Sequence, residues 1–140
     1  MRKLLIITAL LLFAGIAFGQ TLEKGGVVAL HHHQVTLAAG VTIDQYIDFI
    51  VNSIMPEMQK VFPERLSYKI LKGIGVNNQH EYGLLYYWES LEVFRSYWND
   101  DGTPTEKGAA GMAQVQPLIE KLNTLGESTQ VPGDWLILDK

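Results

Sequence analysis

The stretch Leu84-Leu85-Tyr86-Tyr87-Trp88-Glu89-Ser90-Leu91-Glu92-Val93-Phe94 changes its rule half-way along. Up to Trp88 it is an apolar, aromatic run of strand type, whereas from Ser90, a residue suited to capping a helix, Leu91, Phe94, Tyr97 and Trp98 recur at helical spacing. A strand therefore feeds directly into a short helix. Upstream, Leu66 to Val76 and Glu81 to Glu89 flank the turn residues Asn77-Asn78 and read as a hairpin. Further upstream, Val27 to Leu37 is a β-branched and apolar run between Gly25-Gly26 and Gly40 and reads as another strand. It is followed by Ile43, Tyr46, Ile47, Ile50, Val51, Ile54, Met58, Val61 and Phe62 at helical spacing. Thr42 with Gln45 forms a capping box in front of that helix; Pro56 should kink or restart it, and Pro63 stops it. Downstream, the glycines and charges of 99–111 read as a loop or a loosely formed helix start, and as a candidate pocket lid. Met112 to Leu125 reads as a helix interrupted by Pro117 and capped by Gly126, and Trp135 to Leu138 as a last strand.

The order is strand, helix, strand, strand, helix, strand. It predicts an α+β fold in which a four-stranded antiparallel sheet carries its helices on one face. Leu30, Leu71, Leu85, Tyr87, Leu136 and Leu138 are expected on the other face, an apolar area that a second copy of the chain would cover. With this element order over 27–139, and with the Trp-x-Ser-x-x-x-Phe pattern at Trp88, Ser90 and Phe94, the chain resembles the dimeric α+β barrel superfamily, a ferredoxin-like βαββαβ group. That group includes antibiotic-biosynthesis monooxygenases, haem-degrading monooxygenases and small proteins without assigned chemistry. The haem-degrading branch uses an Asn on the first strand, a Trp ending the third strand and a His in the second helical region. Trp88 matches the Trp, but His33 stands in the place of the Asn and 99–126 contains no histidine. The resemblance thus implies no haem ligand and no cofactor.

His31-His32-His33 is the run that invites a site. Side chains alternate along a strand, so His31 and His33 share one face, about 7 Å apart at Cα, and His32 takes the other. Two imidazoles lack the third ligand that a metal site needs, so no metal is expected. If Val35 and Leu37 face the helices, His31 and His33 join Tyr82, Tyr86 and Trp88 around one ligand pocket, with His33 as candidate base. Two functions fit. One is an exported module that binds a small apolar or aromatic ligand or a partner; the alternative is a cofactor-independent monooxygenase-like enzyme acting on an aromatic or phenolic substrate.

The remaining composition narrows the field. There is no Gly-x-Ser-x-Gly, phosphate loop or dinucleotide fingerprint, since Gly73-Ile74-Gly75 lacks a third glycine. Glu89 and Glu92 complement a helix N-terminus, and Asp100-Asp101 lack the alternating donors of a calcium loop. Arg2-Lys3, the apolar run Leu4 to Ile16 and the small residues around Ala17-Phe18-Gly19 predict a signal peptide over 1–19. The mature chain then starts at Gln20 as one domain over 20–140, periplasmic or extracellular. Of 140 residues, 15 are acidic and 11 basic; loss of Arg2 and Lys3 leaves a net charge of −6, which argues against nucleic acid and anionic membranes as partners. Zero cysteines exclude a disulfide framework and a thiolate nucleophile.

Overall fold

A computed structural model describes residues 22–74 and 80–138. The expected leader and mature start at Gln20, and the turn residues Asn77-Asn78, lie outside the described residues. In chain order the elements are β1 (Val27–Leu37), α1 (Ile43–Phe49), a π-helical turn (Ile50–Ile54), α2 (Met55–Val61), β2 (Arg65–Lys72), β3 (Glu81–Trp88), α3 (Leu91–Tyr97), α4 (Glu106–Asn123), β4 (Gly126–Val131) and β5 (Asp134–Leu136). The sheet is antiparallel in the order β2-β3-β1-β4, with β5 also paired to β1. This is the ferredoxin-like α+β arrangement, with helices packed on one face.

Burial along β1 alternates as the pleat requires: Val27, Ala29, His33 and Val35 are buried, while Leu30, His32, Gln34 and Thr36 are exposed. Both predicted N-terminal caps form. Thr42 Oγ1 accepts from the Gln45 amide N–H while the Gln45 side chain accepts from the Thr42 N–H, and Ser90 Oγ accepts from the Val93 N–H. Pro56 is accommodated without a break. The preceding turn widens, the Met55 N–H reaching back to the Ile50 carbonyl, which leaves room for a ring that would crowd the Asn52 carbonyl in a regular helix.

Several expectations are corrected. The last strand begins at Gly126 rather than at Trp135, because Pro132-Gly133 splits one edge into two pieces: β4 pairs with His32–Leu37 and β5 with Val27–Ala29. Gly126 consequently opens a strand rather than capping a helix, and a Cβ there would stand 2.9 Å from the Thr36 carbonyl oxygen. Within 99–111 a loop is followed by a helix start, α4 beginning at Glu106 under the cap Thr105, and the expected interruption at Pro117 does not occur. On the outer face, register places Trp135 rather than Leu136 beside Val28, since Leu136 pairs with Val27, which faces the helices. Tyr87 is buried within the chain itself, its ring against Gly26 and its hydroxyl accepting from the Glu23 N–H at 3.1 Å.

The helical layer is seated by glycines on α4. A Cβ at Gly108 would lie 2.1 Å from the Tyr97 carbonyl oxygen, and one at Gly111 would lie 3.1 Å from the Phe62 ring. Gly108→Ala therefore has to push a backbone carbonyl aside. We expect a net loss of stability, overpacking costing about 1–3 kcal/mol against at most about 1 kcal/mol gained in helix propensity. Gly111→Ala, which meets a ring edge, should cost less; urea unfolding of the two variants checks the order.

Candidate functional site

Two aromatic clusters pack between sheet and helices. Toward the β4 end of the sheet, Tyr46, Tyr82, Leu84, Val35, Ile50 and Ile54 form a filled core. Toward the other end, Phe62, Trp88 and Tyr97 meet edge to face or tilted, with ring centroids 5.1–6.4 Å apart, joined by Phe94 and Trp98. A cavity of about 510 Å³ opens there, over a floor of Ala29, Tyr86 and Trp88, with Phe62, Phe94, Trp98, Met58 and Met112 as walls and Gly102 from the 98–105 loop at its mouth. The loop is braced by Asp101 accepting from the Thr103 N–H and by the Arg95–Asp100 ion pair. The Glu64 carboxylate anchors the helical corner behind the cavity. It accepts from the Tyr97 hydroxyl and from Lys107 Nζ, which hold its pKa down to about 2.

The polar groups of the cavity stand at opposite edges of the sheet. On the β4–β5 side are His31, Gln130 and Asp134: His31 Nε2 lies 3.3 Å from Asp134 Oδ1, and the Gln130 amide donates to His31 Nδ1 at 2.7 Å. That pair of bonds suits a neutral imidazole protonated at Nε2. The His31 ring also meets Tyr86 edge to face at 5.1 Å. On the β2 side is Arg65, only 2% exposed, its guanidinium 4.9 Å from the Tyr86 ring centroid and 5.6 Å from that of Phe62.

The five residues expected to share one pocket divide into two groups. His31, Tyr86 and Trp88 line the cavity; His33 and Tyr82 do not. His33 stacks on Tyr82, ring centroids 4.5 Å apart and planes 8° from parallel, and its Nδ1 lies 3.0 Å from Ser128 Oγ. Tyr46, fully buried, packs on Tyr82 with ring centroids 6.0 Å apart. Burial, then the neighbouring His31 and His32, lower the His33 pKa to about 4. A second ring N–H would find no acceptor there, since Nε2 is buried without a hydrogen-bond partner. Its place outside the cavity sets His33 apart from any proton to be removed inside it. His32 points to the outer face, 3.3 Å from Glu81. Among the described residues no three His, Asp or Glu side chains converge as metal ligands, and no helix is long and apolar enough to cross a membrane.

Arg65, Gln130 and Asp134 escaped the sequence reading. Gln130 and Asp134 lie in the strands that polar composition disguised. Arg65 reaches the helix face through a bulge between Arg65 and Ser67; strict alternation back from Ile70 would put it on the outer face.

No protein-family model and no curated protein sequence matches the chain. Solved structures do. A NIPSNAP-like domain protein from Burkholderia xenovorans aligns with a TM-score of 0.56 at 13% identity, over 83% of this chain and 88% of its own. A NIPSNAP family protein of unknown function from Agrobacterium tumefaciens gives 0.52 at 15% identity, over 82% and 92%. A variant of SnoaB, a cofactor-independent oxygenase from Streptomyces nogalater, gives 0.50 at 13% identity, over 84% and 97%. The chain shares the ferredoxin-like α+β fold of these proteins. At these identities the likeness is one of fold alone, and the site has to be read from its own side chains.

The buried histidine makes a prediction about pH. In the folded chain His33 stays neutral down to about pH 4, whereas an unfolded chain protonates it near 6.5. The unfolded state therefore holds more protons between these values, and the contribution of His33 is complete above pH 6.5 and lost as pH falls toward 4. It amounts to at most about 3 kcal/mol. In urea unfolding midpoints measured from pH 7.5 to 4, His33→Gln should flatten the decline relative to the unmodified chain. Parallel profiles would contradict this.

Proposed function

We propose that this chain is an exported homodimeric module that binds a small, planar, largely apolar molecule between sheet and helices. The observation that carries the reading is the aromatic cavity itself. It has the size of small-molecule sites, about 300–1,000 Å³, and apolar walls with a few polar groups confined to its edges. Adaptable Met58 and Met112 beside fixed rings suit a flat ligand. Export rests on the leader pattern of 1–19. Dimerisation rests on the outer sheet face, where Leu30, Leu71 and Trp135 are 36%, 45% and 54% exposed and Gly83 leaves a shallow trough between Leu30 and Leu71.

Each part has a test. The neutral fluorophore phenylnaphthylamine should bind with increased emission and quench Trp88 and Trp98; Ala29→Leu, which fills the floor, should weaken binding at least about tenfold, the order expected for occluding a ring-sized contact. Absence of binding to the unmodified folded chain would end the cavity reading. On the outer face, Leu30→Asp should convert a dimer to a monomer in light scattering, since a carboxylate cannot be buried there without a partner. A monomeric unmodified chain would refute the dimer.

The His31–Asp134 pair opening on the cavity supports a second reading, a cofactor-independent oxygenase. In that case His31, rather than His33, takes a proton at Nδ1 from a phenolic substrate whose hydroxyl displaces the Gln130 amide there, and the resulting phenolate, carbanionic at its ring carbon, reacts with dioxygen. Oxygen uptake with a phenolic substrate, lost in His31→Ala while fluorophore binding persists, would favour the enzyme over the module.

A further inference from the structure

The edge of the cavity at β4 and β5 is built around a break in the strand. Pro132-Gly133 separates the two pieces, so that Gln130 near the end of β4 and Asp134 at the start of β5 both reach the imidazole of His31. The turn between them is pinned. The Gly133 carbonyl accepts from the Leu30 N–H at 2.8 Å, and the Trp135 ring covers Gly133 so closely that a Cβ there would lie 2.2 Å from it. His31, Gln130, Pro132 and Asp134 all line the cavity.

The bonds within this group leave its charge unbalanced. His31 donates from Nε2 to Asp134 Oδ1 and accepts at Nδ1 from the Gln130 amide, so the imidazole is neutral and the carboxylate keeps its full negative charge. Among the described residues no lysine or arginine pairs with Asp134, and neither its Oδ2 nor Gln130 Oε1 has a hydrogen-bond partner. The Asp134 side chain is 37% exposed, so its carboxylate is open to whatever enters. What this edge lacks is therefore a donor with a positive charge. The faces of Tyr86 and Trp88 beside it favour a cation electrostatically as well. An ammonium group supplies both, with three N–H bonds for the acceptors left over.

Resting on the cavity reading above, we propose that the occupant is an aryl-alkylammonium ion, with its rings over Tyr86 and Trp88 and its ammonium bonded to Asp134 Oδ2 and Gln130 Oε1. The opposite orientation would carry the ammonium to β2, three strand steps or about 14 Å across the sheet, and set it beside the buried Arg65 guanidinium, cation against cation. The cavity thus selects by charge as well as by shape, and it orients what it selects.

The test is displacement of bound phenylnaphthylamine at neutral pH by naphthylmethylamine and by naphthylmethanol, which share a ring system and differ in carrying a charged or a neutral donor. The unmodified chain should take the amine about tenfold tighter, the scale of one charge-assisted contact. Asp134→Asn, which keeps an oxygen for the His31 N–H, should bring the two affinities within about twofold by weakening only the amine. An alcohol that competes as well as the amine or better, or a preference unchanged in folded Asp134→Asn, would overturn the proposal while phenylnaphthylamine binding leaves the cavity reading standing. Failure of both compounds to displace the probe has the same meaning. A chain that binds no phenylnaphthylamine overturns both readings. Should Asp134→Asn fail to fold, competition by the anionic naphthylacetate on the unmodified chain decides the matter. Weaker competition than by the alcohol supports the proposal, and equal or stronger competition overturns it.

Discussion

β1, eleven residues from Val27 to Leu37, is paired along both edges, to β3 on one side and to β4 and β5 on the other. Its two-residue alternation fixes what the rest of the molecule faces. A slip of one position would carry Val27, Ala29, His33 and Val35 out of the core and bring Leu30, His32 and Gln34 in, so the register is held by every buried side chain along it. The helices then have one surface to pack on. The cavity floor at Ala29 and the polar edge at His31 inherit their positions from that strand.

Above this sheet the helical layer is shaped by where backbone can approach. Gly108 lets α4 come against the Tyr97 carbonyl, Gly111 receives the Phe62 ring, and the widened turn at Ile50–Ile54 carries the α1–α2 segment past Pro56. One consequence is a division of labour between the two aromatic clusters. Where Tyr46 and Tyr82 meet His33 and the aliphatic Ile50 and Ile54, the core is filled. Where Phe62, Trp88 and Phe94 meet edge to face, a ligand-sized space remains beside them.

The electrostatics follow the same partition. In the filled cluster burial opposes charge, and His33 is kept neutral. In the open cluster the charges survive because each has a solvating neighbour: aromatic faces for Arg65, and His31 for Asp134. Two histidines on one face of one strand thus acquire opposite chemical characters, one a packing element and the other a cavity group, according to what lies above them.

The sequence by itself determined the element order as far as the last helix, the caps at Thr42 and Ser90, and the sorting of His31 and His33 from His32, because period-two alternation and helical periodicity are local consequences of burying one face. It also placed His31, Tyr86 and Trp88 together. Tertiary structure alone decided that the cavity takes in His31 but not His33, because the rings of Tyr82 and Tyr46 pack over the His33 end of the strand. It alone revealed β4, since an edge strand reading Gly-Glu-Ser-Thr-Gln-Val is exposed along most of its length and leaves no hydrophobic period to read. And it alone turned Arg65 inward, because a bulge adds one residue to a strand without marking the sequence and so reverses which side chains face the core.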